Sequence, residues 1–144
     1  MNFWDSSAIV PLLLGERMTP IVRTILAGDR QVHVWWGTEI ECVSTIARLE
    51  REGVDPAIIA SSFARLSAMR EDWSEVTPGS LVRDTARRLL RVHPLRAADA
   101  LQLAAALVLA DQDPSSVSVV SLDDRLRDSA RREGFLLVPE GPLA

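Results

Sequence analysis

Four carboxylates stand out by where they fall along the chain. Asp5 ends the short apolar stretch Asn2–Trp4, and Asp123 comes just after the β-branched run Val117–Val120. Glu41 lies in the first turn of a helical pattern opened by Gly37 and Thr38, and Asp99 interrupts the Ala/Leu-rich segment RAADALQLAAAL. In open parallel sheets, ligands bind beyond the C-terminal strand ends where the strand order reverses. If the first and fourth strands are neighbours, Asp5 and Asp123 face each other, with Glu41 on the same edge. Acids gathered there repel and raise one another's pKa unless a cation neutralises them. Carboxylate oxygens are hard donors, so the matching ion is Mg²⁺ or Mn²⁺.

Each acid also has a purely structural reading. Asp5 can cap a helix starting at Ser6, and Asp123 a helix starting at Asp124. Thr38-x-x-Glu41 has the spacing of a capping box. Asp99 is harder to place, because only an i, i+3 pair with Arg96 offers it a local partner. Glu39 falls on a different helix face from Glu41 and is expected to be a solvated first-turn acid. Other chemistries lack their parts. The chain has no GxxxxGK[ST], GxGxxG or GxSxG. His33 and His93 are too isolated for a zinc motif, and a lone Cys42 in a helical pattern is expected to be a small buried hydrophobe. Trp35 and Trp36 would point to opposite faces of a strand, which gives no stacking platform.

The acids depend on alternating elements for their positions. Strands are expected at Asn2–Trp4, Gln31–Trp36, Trp73–Val76, Val117–Val120 and Phe135–Val138. Between them, helical patterns cover Ser6–Leu14, Thr19–Ala27, Glu39–Arg51, Ala57–Met69, Ser80–Arg91, Pro94–Ala110 and Asp124–Glu133, punctuated by Gly15, Gly28, Gly53, Pro56, Pro94 and Gly134. Strands separated by helices throughout argue for an α/β fold, helices on both sides of a mostly parallel sheet.

With 144 residues, 47% hydrophobic and 25% charged, the composition suits one globular domain over residues 1–144. The net charge of −4 excludes a bulk basic surface, so any nucleic-acid contact must be local. All the basic side chains are arginine, a fork-shaped phosphate donor. The longest apolar run, Ala100–Ala110 around Gln102, is far short of the roughly 20 residues that span a bilayer. The start, MNFWDSS, has no basic n-region, so a cytoplasmic protein is expected.

The words around these acids resemble PIN-domain nucleases, most closely the VapC-type toxins of toxin–antitoxin pairs, and the likeness extends over essentially the whole chain. DSSAIVPLL around Asp5 is similar to that family's opening D-[ST]-S-A-[LIV], and ECVSTIARLEREG around Glu41 to its E-x-x-S-A-[LI]-A-R helix. DALQLAAA from Asp99 is similar to D-A-[LI]-x-L-A-x-A, and SLDDRLRDSARREG around Asp123 to [ST]-x-D-x-x-[LF]-x-x-A-A-x-x-x-G. The resemblance implies a three-layer α/β/α PIN-like domain and a Mg²⁺- or Mn²⁺-dependent endoribonuclease that cuts RNA phosphodiesters with metal-activated water. It also implies a homodimer and inhibition by a cognate antitoxin protein. Asp5, Glu41, Asp99 and Asp123 would form the metal and catalytic set, with Ser7 and Ser121 orienting a carboxylate or water and Asp124 able to supplement Asp123. Arg48, Arg96 and Arg125 are candidates for gripping phosphate. The apolar helices around Ile9–Leu14 and Pro56–Leu66 could receive an antitoxin helix, though core packing explains them equally well. The chain departs from the family's commoner pattern at Ser6, which keeps a hydroxyl, and at Pro11, where a basic residue is common.

Two other functions compete. A haloacid-dehalogenase-type phosphatase needs a DxD pair and a lysine, but Ser7 occupies the second position and the chain has no lysine. A non-catalytic PIN-like module that binds RNA or protein is the alternative from another class. Four acids facing a polyanion argue against it.

Overall fold

Alternation along three-residue strands divides the apolar residues of this chain between two cores. A computed structural model describes residues 1–143. Its strands are β1 (Asn2–Trp4), β2 (His33–Trp35), β3 (Ser74–Val76), β4 (Ser118–Val120) and β5 (Leu136–Val138). Its helices are α1 (Ser6–Leu13), α2 (Thr19–Gly28), α3 (Thr38–Arg51), α4 (Pro56–Asp72), α5 (Ser80–Val92), α6 (Ala97–Leu109) and α7 (Asp124–Glu133), with a 3₁₀ turn at Pro114–Ser116. Phe3, Trp35, Val119 and Leu137 enter the core beneath α5, α6 and α7. Their neighbours Trp4, Val34, Val120 and Val138 turn to the core beneath α1–α4. Successive side chains point to opposite faces of a strand, so one sheet serves both layers.

The sheet order is β3-β2-β1-β4-β5, and every pairing is parallel. The expected three-layer α/β/α architecture is therefore present, with the sheet parallel throughout. The chain runs outward from β1 to β3, then returns to β4 on the other side of β1. Right-handed crossovers put the outward helices on one face and the returning ones on the other. The order reverses between β1 and β4, whose registers set Trp4 beside Val120. Asp5 continues this pairing, its N–H donating to the Val120 carbonyl at 2.9 Å.

Two boundaries differ from expectation in ways that matter to the site. The helix expected from Pro94 begins at Ala97, with Arg96 held extended at φ −80°, ψ 163°. Pro94 lies in the connection from α5, and Asp99 therefore sits in the first turn of α6. The second strand stops at Trp35, so Trp36 lies beyond the sheet; it is exposed, with its ring edge-on to that of Trp35 at 6.5 Å and 72°. Only Trp35 belongs to the strand, so the alternation expected of a strand pair does not apply to Trp36, which lies in the two-residue turn before α3. A Cβ on Gly37 would meet the Trp35 indole nitrogen at 2.5 Å, so a larger residue in this turn would push that ring aside.

Candidate active site

Asp5 occupies the N-cap position of α1, yet its side chain makes no capping hydrogen bond. Its carboxylate is instead held across the gap between β1 and β4. Oδ2 accepts from the Ser7 hydroxyl at 2.5 Å and from the Ser121 hydroxyl at 3.0 Å. Ser7 Oγ accepts in turn from the Leu122 N–H at 2.9 Å, and Ser121 Oγ from the Asp123 N–H at 3.2 Å. The two loops are thereby laced together through one carboxylate oxygen. Asp123 does cap: its Oδ1 accepts from the Leu126 N–H at 2.8 Å, opening α7. That bond engages one oxygen and fixes the rotamer, while Oδ2 makes no protein hydrogen bond among the described residues.

The capping box expected for Thr38 and Glu41 does not form. Gly37 is the N-cap of α3 and Thr38 its first residue, one position too late for that motif. Both side chains turn to Gln102 on α6. Its Nε2 donates to Glu41 Oε1 at 2.6 Å and to Thr38 Oγ1 at 3.0 Å. Since α3 and α6 cover opposite faces of the sheet, this contact joins the two helical layers at the edge where Asp5 lies. Asp99 is one helical turn before Gln102 on α6 and half-buried. The expected Arg96–Asp99 ion pair is not among those formed by the described residues, because Arg96 precedes the helix and its extended backbone breaks the i, i+3 geometry.

Electrostatics tie the four acids into one site. Burial pushes the Asp5 carboxyl up to about 6, against the pull of the Ser7 and Ser121 hydroxyls, and the charges of Asp123 and Asp99 add to the rise. Burial likewise lifts Glu41 to about 7, opposed by the Gln102 hydrogen bond and reinforced by Asp5 and Asp99. The Asp99 carboxyl is raised by burial and by Asp123, with Arg125 and Arg96 pulling the other way. Mutual repulsion, the cause expected from the sequence, is thus real but secondary to desolvation. All four groups are hard oxygen donors, and neither Asp5 nor Glu41 has a cation among the charges acting on it, which suits a hard divalent cation in kind. In geometry they are still apart: among the described residues no three His, Cys, Asp or Glu side chains stand as a set that could hold an ion.

Other expectations resolve more simply. Burial pushes the Cys42 thiol up to about 12, as befits a core residue. Glu39 is not merely solvated, since it meets Arg70 of α4 at 2.8 Å. Arg48 lies seven residues beyond Glu41, about 10 Å along α3, and faces Glu52 at 3.8 Å on the surface. Arg96 and Arg125, by contrast, act on Asp99. Two residues were not foreseen. Gln102 looked only like an interruption of an apolar run, although a buried amide in such a run is itself a signal of a partner elsewhere. Arg127, also buried, donates to the carbonyls of Ser121, Pro139 and Gly141 at 3.0, 2.8 and 2.6 Å, bracing the loop that carries Asp123.

No family model and no curated protein sequence matches the chain. Among solved structures, FitAcB from Neisseria gonorrhoeae superposes with a TM-score of 0.65 over 95% of this chain and 96% of that one, at 16% identity. At that identity the likeness shows the fold, a PIN-like α/β/α arrangement.

Proposed function

We propose that this protein is a metal-dependent endoribonuclease, the toxin of a toxin–antitoxin pair. The observation that carries the reading is a set of four acids at the point where the strand order reverses, with burial raising Asp5, Glu41 and Asp99. Asp5 and Asp123 are fixed there by hydrogen bonds, and Glu41 and Asp99 are brought to the same edge from opposite helical layers. The sequence words around all four acids, and the PIN-like fold shared with FitAcB, support it.

Asp5, Asp99, Asp123 and Glu41 would hold Mg²⁺ or Mn²⁺. The chemistry such an ion supplies is Lewis acidity toward water and toward the oxygens of a phosphodiester. This chain's residues do the rest. Among the described residues, Ser7 and Ser121 engage only Oδ2 of Asp5, and the Leu126 N–H only Oδ1 of Asp123, so each acid keeps one oxygen for a ligand. Hydrogen bonds thus fix these two rotamers before a cation or substrate arrives, so drawing the acids together costs less side-chain freedom. Arg96 and Arg125 put positive charge next to Asp99, where a substrate phosphate would enter. An antitoxin helix would take the groove of about 750 Å³ between α1, α3 and α4, with Leu13, Leu14, Leu49, Val54 and Ile58 in its wall and Arg65 at its side. A homodimer in the cytoplasm belongs to the same proposal.

The test is cleavage of a mixed cellular RNA pool by purified protein with Mn²⁺ or Mg²⁺, with EDTA, and with Asp99→Asn as the control for contaminating ribonuclease. Discrete, metal-dependent cuts lost in the variant are expected. Absence of cutting in every condition would transfer the reading to a non-catalytic RNA- or protein-binding module.

A further inference from the structure

We propose that Gln102 is a positioning residue of the site, holding the Glu41 carboxylate in place from the opposite helical layer. The inference rests on the nuclease reading for its catalytic meaning, but the contact itself stands on geometry. Gln102 is fully buried, and its neighbours Ala100, Leu103, Ala104, Ala105, Ala106 and Leu107 are all apolar. A leucine there would avoid the desolvation of an amide. Among the described residues, moreover, the amide is only half satisfied: Oε1 is buried without a hydrogen-bond partner. An amide kept in so apolar a stretch is placed by the bonds it does make.

The half that is satisfied is the half facing the site. One Nε2 hydrogen goes to Glu41 Oε1 at 2.6 Å and the other to Thr38 Oγ1 at 3.0 Å, partners 61 and 64 residues distant. Turned over, the amide would set Oε1 against the carboxylate at that same short distance, so the contact admits only one orientation beside an ionised Glu41. Thr38 then has a defined part. Its side chain is fully buried at the start of α3, and by accepting the second hydrogen it fixes the amide plane. Because Gln102 follows Asp99 by three residues, α6 brings one group to the rim of the site and another to its floor. Residues that hold ligating carboxylates in this way tune affinity and activity without touching substrate.

Two measurements decide this. In the whole chain without added metal, ¹⁵N-edited NMR should find one Gln102 side-chain amide proton shifted downfield and slow to exchange, and Glu41→Ala should abolish both features. An ordinary, rapidly exchanging amide overturns the proposal. In Mn²⁺-dependent RNA cleavage, Gln102→Leu should lower kcat by about 10- to 100-fold and weaken Mn²⁺ binding by calorimetry to a similar degree. KM for RNA should not change, and Tm should stay within about 3 °C. An unchanged kcat, or a loss that merely tracks a fall in Tm, assigns Gln102 to packing and overturns the proposal. Failure of the unaltered chain to cut any RNA would remove the nuclease reading alone, and the amide signature would still decide whether Gln102 holds Glu41.

Discussion

Glu133 and Glu41 are both partly buried carboxylates on helices, and the fold treats them in opposite ways. At the last turn of α7, Glu133 receives Arg88 through two hydrogen bonds of 2.7 and 3.3 Å and His93 Nε2 at 2.6 Å. The Arg88 hydrogen bond outweighs burial and holds the Glu133 carboxyl below its usual range. At the first turn of α3, Glu41 has a neutral amide for a partner and other acids for neighbours, and its carboxyl rises to about 7. Asp5, buried and held by two hydroxyls, behaves likewise. Where an acid serves the fold, tying α5 to α7, the chain supplies the cation beside it. Where acids are buried without one, their carboxyls rise and hold protons instead, and this is the imbalance that the proposed cation would relieve.

The contrast breaks most sharply on activity. Asp5→Asn and Asp99→Asn should each reduce metal-dependent RNA cleavage by at least about 100-fold, whereas Glu133→Gln should leave the rate unchanged when assayed well below its Tm. Equal losses from both clusters would erase the distinction.

The pH dependence of stability should have opposite signs in the two regions. The folded pKa values of Asp5 and Glu41, about 6 and about 7, lie above the ordinary 3.8 and 4.5, so the folded state holds extra protons in that window. Their contribution is fully present below the ordinary values and is lost as pH rises through about 6 to 7; for Asp5 the loss is on the order of 3 kcal/mol. Glu133 is lowered, so its contribution is present above the ordinary 4.5 and is lost as pH falls through its folded value. Urea unfolding without added metal should therefore show stability rising from pH 8 to about 5 and falling below about 4, with Asp5→Asn flattening only the upper limb.

Divalent cations sharpen the comparison further. Mn²⁺ at about 100 times its Kd should stabilise the protein by about 2.7 kcal/mol, read as a rise in Tm that Asp99→Asn removes and Glu133→Gln preserves. The smallest effect belongs to the brace itself. Glu133→Gln should cost about 1–3 kcal/mol in urea unfolding, since it leaves the buried His93 and the Arg88 guanidinium without their anion.

The site was legible in the sequence to the extent that its residues lie at element ends. Asp5 and Asp123 follow strands whose β-branched and aromatic residues mark them plainly, so their shared edge needed only β1 and β4 to be neighbours, as they are. The structural role weighed for Asp123 is also real, because capping α7 engages one oxygen and leaves the other. Thr38 and Glu41 misled for a local reason. Their spacing fits a capping box, but Gly37 takes the cap and both side chains find a better partner across the sheet edge. Gln102 and Arg127 were missed because every group they bond is far away in sequence or is backbone.

The sequence by itself determined the order of elements, the division of apolar residues between two faces, and which acids fall at strand ends and helix starts. These follow from periodicity, β-branched runs and glycine or proline breaks, all of them interactions within a few residues. Only the tertiary structure decided that β1 lies beside β4, and that Gln102 reaches Glu41 from the opposite layer. It alone decided, too, that desolvation more than repulsion lifts the acids. Dielectric environment and partners 61 and 64 residues apart are properties of the packed molecule, because burial exists only after the layers have closed on the sheet.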